Sequence, residues 1–142
     1  MPGKMTQDEV NAFLDSRPGW IALTTMSKDG YPHTVPIGYF RVGSDIYIGC
    51  RPGTQKLKNI ERNPKVSVML ESGSTMQDIK GVCIQGEADV ILDPAAQLPL
   101  LRESMRRRGT PADQLPTEPR PGAAYIHIVP KKVISWDYAK SE

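Results

Sequence analysis

The sequence predicts a mainly β protein, a small antiparallel barrel of six strands with a few short helices. Three observations carry that prediction. Apolar, β-branched runs are separated by turn-forming residues at 27–30 and 42–45. A long stretch, Gly81 to Leu92, alternates between apolar and polar positions. Helical patterning is confined to three short segments. A sheet of short strands that closes on itself removes its exposed edges, which favours a barrel over an open sheet.

Taken in order, Thr6-Gln7-Asp8-Glu9 has the form of a capping box ahead of Val10, Phe13 and Leu14. This predicts a short amphipathic helix that ends near Arg17-Pro18-Gly19. Trp20 to Met26 reads as the first strand. Ser27 to Gly30 is a turn, in which Asp29-Gly30 is a strong hairpin signal. His33 to Phe40 reads as the second strand. Pro36 and Gly38 mark it as an edge, a bulge or a place of close backbone approach. A turn at Val42 to Asp45 leads to the third strand, Ile46 to Cys50. A helix from about Thr54 to Arg62 follows, stopped by Asn63-Pro64, and then a fourth strand, Val66 to Leu70.

Glu71 to Asp78 is a polar loop. In the fifth strand, Val82, Ile84, Gly86, Ala88 and Val90 share one face. Cys83, Gln85, Glu87 and Asp89 share the other, which is either wet or at an interface. Asp93-Pro94 opens a helix to about Arg108, with Leu98, Leu101, Arg102 and Met105 on one side. Four prolines between Pro111 and Gly122 predict an extended surface connection. The last strand is Ala124 to Val129, prolonged through Val133 to Trp136 after a break at Pro130.

The length of 142 residues fits a single domain over 1–142 with a sizeable core. A net charge of +2 gives no ground for a nucleic-acid partner. No apolar run is long enough to span a membrane, and MPGKMTQDEV lacks the apolar core of a signal peptide. Cys50 and Cys83 read as two buried thiols rather than a disulfide or metal pair. A reducing cytoplasm is therefore expected. The two histidines and two cysteines lack metal-ligand spacing.

The stretch from Arg51 to Lys58 carries the clearest chemistry. Thr54 suits an N-cap, and the unpaired N–H groups of the first turn attract an anion. Gln55, Lys56 and Lys58 add an amide and two positive charges. The same spacing also fits an ordinary surface helix with solvated lysines. His33 and His127 fit either proton donors or half-exposed strand histidines. Trp136 and Tyr138 fit either a cover over a planar group or a cap on the barrel. Arg106 to Arg108 fit either an acidic partner or a helix end complementing its dipole.

The chain resembles the pyridoxamine 5′-phosphate oxidase-like split β-barrel proteins, in particular their flavin- and deazaflavin-dependent oxidoreductases. The resemblance runs from Trp20 to Asp137. It rests on GWIALTT at 19–25, DGYPHTVP at 29–36, TQKLKNI at 54–60 with NPKV at 63–66, and GVCIQGEA at 81–88. It implies a homodimer with cofactor sites in clefts between subunits. It implies a flavin ring against the backbone of Val35, Pro36 and Ile37 on one strand and of Ile48, Gly49 and Cys50 on the next. Gly49 suits that role, since a missing side chain lets a planar ring approach. The cofactor phosphate is expected at Thr54, Gln55 and Lys56, with Lys58 in support. The partner subunit is expected to bring Met76, Gln77 and Trp136.

One position departs from the FMN-binding pattern, which often has Arg-Lys where this chain has Gln55-Lys56. Glutamine cannot replace the charge or the fork of arginine on a phosphate monoester. That departure leans towards coenzyme F-420, a phosphodiester, over FMN. The C-terminal arginine and histidine pattern of true pyridoxamine phosphate oxidases is absent. The implied function is hydride transfer between a bound F-420 or FMN and a small organic substrate, with the catalytic residue unassigned. The alternative is a non-enzymatic flavin, deazaflavin or haem binding or storage protein of the same fold.

Overall fold

The structure, a computed structural model, describes residues 2–141. Its elements are β1 (Pro2–Gly3), α1 (Gln7–Ser16), β2 (Ile21–Met26), β3 (Pro32–Ile37), β4 (Phe40–Val42), β5 (Asp45–Cys50), α2 (Gln55–Arg62), β6 (Lys65–Ser72), β7 (Lys80–Ile91), α3 (Pro94–Arg107), a 3₁₀ turn (Ala112–Gln114) and β8 (Ala124–Ser141). All eight strands enter one antiparallel sheet in the order β3-β2-β6-β7-β8-β5-β4, with β1 added to the end of β8.

The mainly β, antiparallel class stands, but the expected six strands become eight. The expected second strand is divided at Gly38-Tyr39 into β3 and β4, which lie at opposite ends of the sheet path. This link crosses the gap covalently, and no hydrogen-bonded ladder joins β3 to β4. The eighth strand, β1, exists because β8 runs past the other strands and offers its C-terminal edge to Pro2 and Gly3.

The expected break at Pro130 is absent, and β8 passes through it. Proline removes a ladder donor, so a strand tolerates it at a bulge. Here the register with β7 shifts between Gln85↔Lys132 and Gly86↔Pro130, leaving Lys131 as the extra residue. Gly86 makes the crossing possible, because a Cβ there would lie 2.5 Å from the Val129 carbonyl oxygen.

The core forms on the inner face of the curled sheet. Ile21, Leu23, Ile46, Ile48, Val68, Leu70, Val82, Ile84, Ile126 and Ile128 are nearly or fully buried there. The alternation in β7 points Val82, Ile84, Gly86 and Ala88 inward and Gln85, Glu87 and Asp89 outward, as its sequence predicts. Helix α1 begins at the Thr6–Glu9 capping box and buries Val10, Phe13 and Leu14. Each such side chain contributes about 1.5–3 kcal/mol. Helix α2 buries Leu57, Asn59 and Ile60.

Asn59 is the polar pin of α2. It is fully buried, donates to the Thr25 hydroxyl at 3.0 Å, and accepts from the Gln55 amide at 2.8 Å. At the other end of the helix, Arg62 donates to the Met26 carbonyl. Helix α2 is thereby held along β2, and its N-terminal turn is held with it.

Candidate functional site

The first turn of α2 is an open cation- and donor-rich end. Thr54 takes the N-cap position with extended backbone, φ −76° and ψ 161°, but its hydroxyl caps nothing in the helix. It donates instead to the Arg51 carbonyl at 3.4 Å, a long contact. The first helical bond is Lys58 N–H to the Thr54 carbonyl. The N–H groups of Gln55, Lys56 and Leu57 precede it and have no intrahelical acceptor. No acidic residue occupies this turn. Gln55 spends one amide donor on Asn59, so it is fixed in place and adds no charge. Lys56 lies near Cys50: burial pushes the Cys50 thiol up, and the Lys56 charge partly offsets that. Lys58 is exposed on the next turn.

The ring-lining strands expected from the sequence divide by face. Val35 and Ile37 pack against the core, and Ile48 is fully buried within it. Cys50 is half-buried and also packs inward. Pro36 and Gly49 are exposed. A planar group against β3 would therefore meet backbone and Pro36, and one against β5 backbone and Gly49, rather than the side chains of Val35, Ile37 or Ile48; the two strands are not paired in the sheet. Met76 is 63% exposed, with exposed Gln77 beside it. Their loop is tied off by Asp78, whose carboxylate accepts from the Ser74 and Thr75 N–H groups and the Thr75 hydroxyl. Trp136 lies on its own sheet over Gly81, donating to the Glu71 carboxylate at 3.1 Å.

Beside Gly49, a cleft of about 470 Å³ opens between the end of β3, β5, β8 and α3. Of its other lining residues the sequence marked Gly38, as a place of close backbone approach, and Arg108, within the Arg106 to Arg108 run, but placed neither in a cofactor site. Its walls are Trp20 and Tyr125, each lying against a glycine. A Cβ at Gly38 would sit 3.4 Å from the Trp20 ring, and one at Gly49 would sit 3.4 Å from the Tyr125 ring. Arg17, Ser104 and Arg108 bring polar groups, and Tyr39 and Phe40 close the floor. Tyr39 donates to the Leu14 carbonyl, and burial raises its phenol to about 12 against the opposing Arg17 charge. Burial raises the Tyr125 phenol too, with Arg108 pulling the other way. Arg17 is the one non-glycine residue at positive φ, 48°, among the described residues. It ends α1 in the left-handed conformation usually left to glycine. Trp20 and the Arg106 to Arg108 run were visible in the sequence, but nothing local linked them to Arg17 or Tyr125.

The histidines separate. His127 is spent structurally: Nε2 meets Asp45 at 2.7 Å, Nδ1 meets Asp89 at 3.2 Å, and the ring stacks on Tyr47 at 4.6 Å. His33 stands opposite buried Thr25, with Nδ1 buried and without a hydrogen-bond partner. Among the described residues, no group of three or more His, Cys, Asp or Glu is placed to hold a metal ion. Among the described residues, no helix is long and apolar enough to cross a membrane.

The family model described as Pyridoxamine 5′-phosphate oxidase matches residues 6–137. No curated protein matches the chain. Among solved structures, it is similar to a conserved hypothetical protein of Mycobacterium tuberculosis, with 27% identity, a TM-score of 0.80, and coverage of 94% of this chain and 86% of that one. It is also similar in fold to an F-420 reductase, at 22% identity and TM-score 0.61, covering 86% of this chain and 94% of that one. A haem storage protein of Vibrio cholerae shares the fold at 14% identity and TM-score 0.70, with coverage of 94% and 98%.

Proposed function

Since the chain belongs to the pyridoxamine 5′-phosphate oxidase family, we propose that it is an oxidoreductase that binds a flavin or deazaflavin and transfers hydride to or from a small organic substrate. The observation that carries this reading is the uncapped N-terminus of α2. It presents free N–H groups, Lys56 and Lys58, and no carboxylate, and this suits a phosphate. Thr54, Gln55 and Lys56 would hold that phosphate, with Lys58 in support. The ring would lie along the backbone of 35–37 and 48–50, where exposed Pro36 and Gly49 leave room. The cofactor supplies the two-electron chemistry. The protein binds it, orients it and leaves one face open to substrate. Coenzyme F-420 is preferred over FMN, because Gln55 is tied to Asn59 and offers a phosphate monoester no charge or fork.

A homodimer belongs to the same proposal. The strand registers align Pro36, Ala22, Met69, Cys83 and Ile134 in one transverse row. Met69 and Ile134 are about 40% exposed, an apolar stripe across five strands that suits a second copy. Met76, Gln77 and Trp136 would then act across that interface. The free thiols Cys50 and Cys83 fit a reducing cytoplasm.

The test is an absorbance spectrum of the purified protein, followed by fluorescence titration with FMN and with coenzyme F-420. Lys56→Ala should weaken the preferred cofactor at least tenfold, about 1.4 kcal/mol. Unchanged affinity rejects the phosphate site. A second reading, storage without turnover of a flavin, deazaflavin or haem, is supported by the fold shared with the haem storage protein. Turnover with reduced cofactor and a panel of quinones, enones and tetrapyrroles separates the two.

A further inference from the structure

We propose that the Arg17–Arg108 cleft is a substrate pocket selective for small planar anions, compounds with a flat apolar body and one carboxylate or phosphate group. This rests on the oxidoreductase reading only in calling the ligand a substrate; the binding itself does not require a cofactor.

The charge balance around the cleft is the first argument. Five arginines, Arg17, Arg41, Arg106, Arg107 and Arg108, cluster near the junction of α1, β4 and α3, where they are joined by two carboxylates, Asp15 and Glu103. Asp15 is engaged by Arg41 at 2.6 Å and by Arg107 at 3.5 Å. Glu103 is engaged by Arg106 and by Arg107. These contacts consume both carboxylates and satisfy three guanidiniums. Arg17 and Arg108, the two that line the cleft, have no carboxylate partner among the described residues. Arg108 makes one long side-chain contact, 3.4 Å from Nε to the Ser104 carbonyl. Two uncompensated guanidiniums on one concavity attract an anion, and each offers a planar donor fork to a carboxylate or phosphate.

Shape is the second argument. The volume, about 470 Å³, suits a small molecule. Trp20 is 73% exposed at the mouth, an unusual place for the largest apolar side chain unless something flat covers it. Tyr125 forms a second aromatic wall, and Gly38 and Gly49 keep the walls thin. An aromatic surface beside two cations recognises a ring bearing an acid group and disfavours uncharged or cationic rings. Gly49 also lies on the strand that would back the cofactor ring, so a compound bound here would sit next to the redox centre.

The experiment is calorimetric titration of the cofactor-free protein with benzoate and phenyl phosphate as anionic probes and benzamide as the uncharged control. The expected result is at least tenfold tighter binding of one or both anions than of benzamide, falling as salt rises. Arg17→Gln and Arg108→Gln should each weaken the anions at least fivefold and leave benzamide unchanged, with circular dichroism confirming the fold. Arg17→Lys and Arg108→Lys, which keep charge and lose the fork, should fall between. Lys56→Ala should leave probe binding intact while weakening the cofactor, which separates the cleft from the phosphate site. The proposal is overturned if no probe binds, if benzamide binds as well as the anions, or if the arginine variants bind like the parent. It is also overturned if saturating FMN or coenzyme F-420 displaces the probes, since the cleft would then belong to the cofactor.

Discussion

Replacing Asn59 tests whether the candidate cofactor site is held from beneath. Its amide is fully buried, between the Thr25 hydroxyl at 3.0 Å and the Gln55 amide at 2.8 Å. Asn59→Leu keeps most of the volume but strands the Thr25 hydroxyl, itself 1% exposed. A buried polar group left unpaired costs about 1–3 kcal/mol, and the lost bond to Gln55 adds about 0.5–1.5 kcal/mol. The expected destabilisation is thus about 1.5–4.5 kcal/mol. Thr25→Val strands the Asn59 donor instead and should cost about 1–3 kcal/mol. In the double variant neither partner remains to be stranded, so its cost should fall at least 1 kcal/mol short of the sum. Urea unfolding at 25 °C measures all three. With a slope of about 2 kcal/mol per molar, a loss of 2 kcal/mol moves the midpoint by about 1 M. Free Gln55 should also loosen the first turn of α2, so Asn59→Leu should bind cofactor more weakly than the parent, whereas Thr25→Val keeps the Gln55–Asn59 bond. Additivity within about 0.5 kcal/mol, the range typical of uncoupled sites, would refute the pinning argument.

Gly86→Ala should destabilise by about 1–3 kcal/mol, since its Cβ would meet the Val129 carbonyl at 2.5 Å and strand backbone must move; an unchanged melting temperature rejects the bulge account. Ile134→Lys places a charge at the β8 end of the apolar stripe and should shift light scattering from dimer to monomer; a parent protein that is already monomeric removes that interface and the shared site with it. Glu9 has a folded-state pKa lowered from 4.5 to about 2, chiefly by its hydrogen bond from Lys140 and then by those from Thr6. The folded value lies below the unfolded one, so the stabilisation is present above about pH 4.5 and is lost as pH falls towards 2. Glu9→Gln should flatten the acid limb of the melting profile in that window, less so in high salt because the pair is exposed.

Features set within a turn or two of chain were legible in the residues alone. The Thr6–Glu9 box starts α1, Thr54 takes the N-cap position of α2, Asp29-Gly30 turns the first hairpin, and β7 alternates by face. Caps, turns and side-chain period depend on neighbours a few residues away, so they can be read along the chain. The tertiary structure decided the rest. Pro130 reads as a break because proline lacks a donor, yet Gly86, over 40 residues away, supplies the room that lets β8 continue. Gly38 looks like an irregularity within one strand, yet it is where the chain passes between the two ends of the sheet path. The open N-terminus of α2 was legible, but the Thr25–Asn59–Gln55 chain that fixes it was not, because Thr25 and Asn59 meet only once the helix lies on β2. The cleft depends most on tertiary structure: Arg17, Gly49, Arg108 and Tyr125 come from four separate elements or their ends. Their meeting is set by strand register and sheet curvature, which are sums of long-range contacts and leave no local pattern in the residues they bring together.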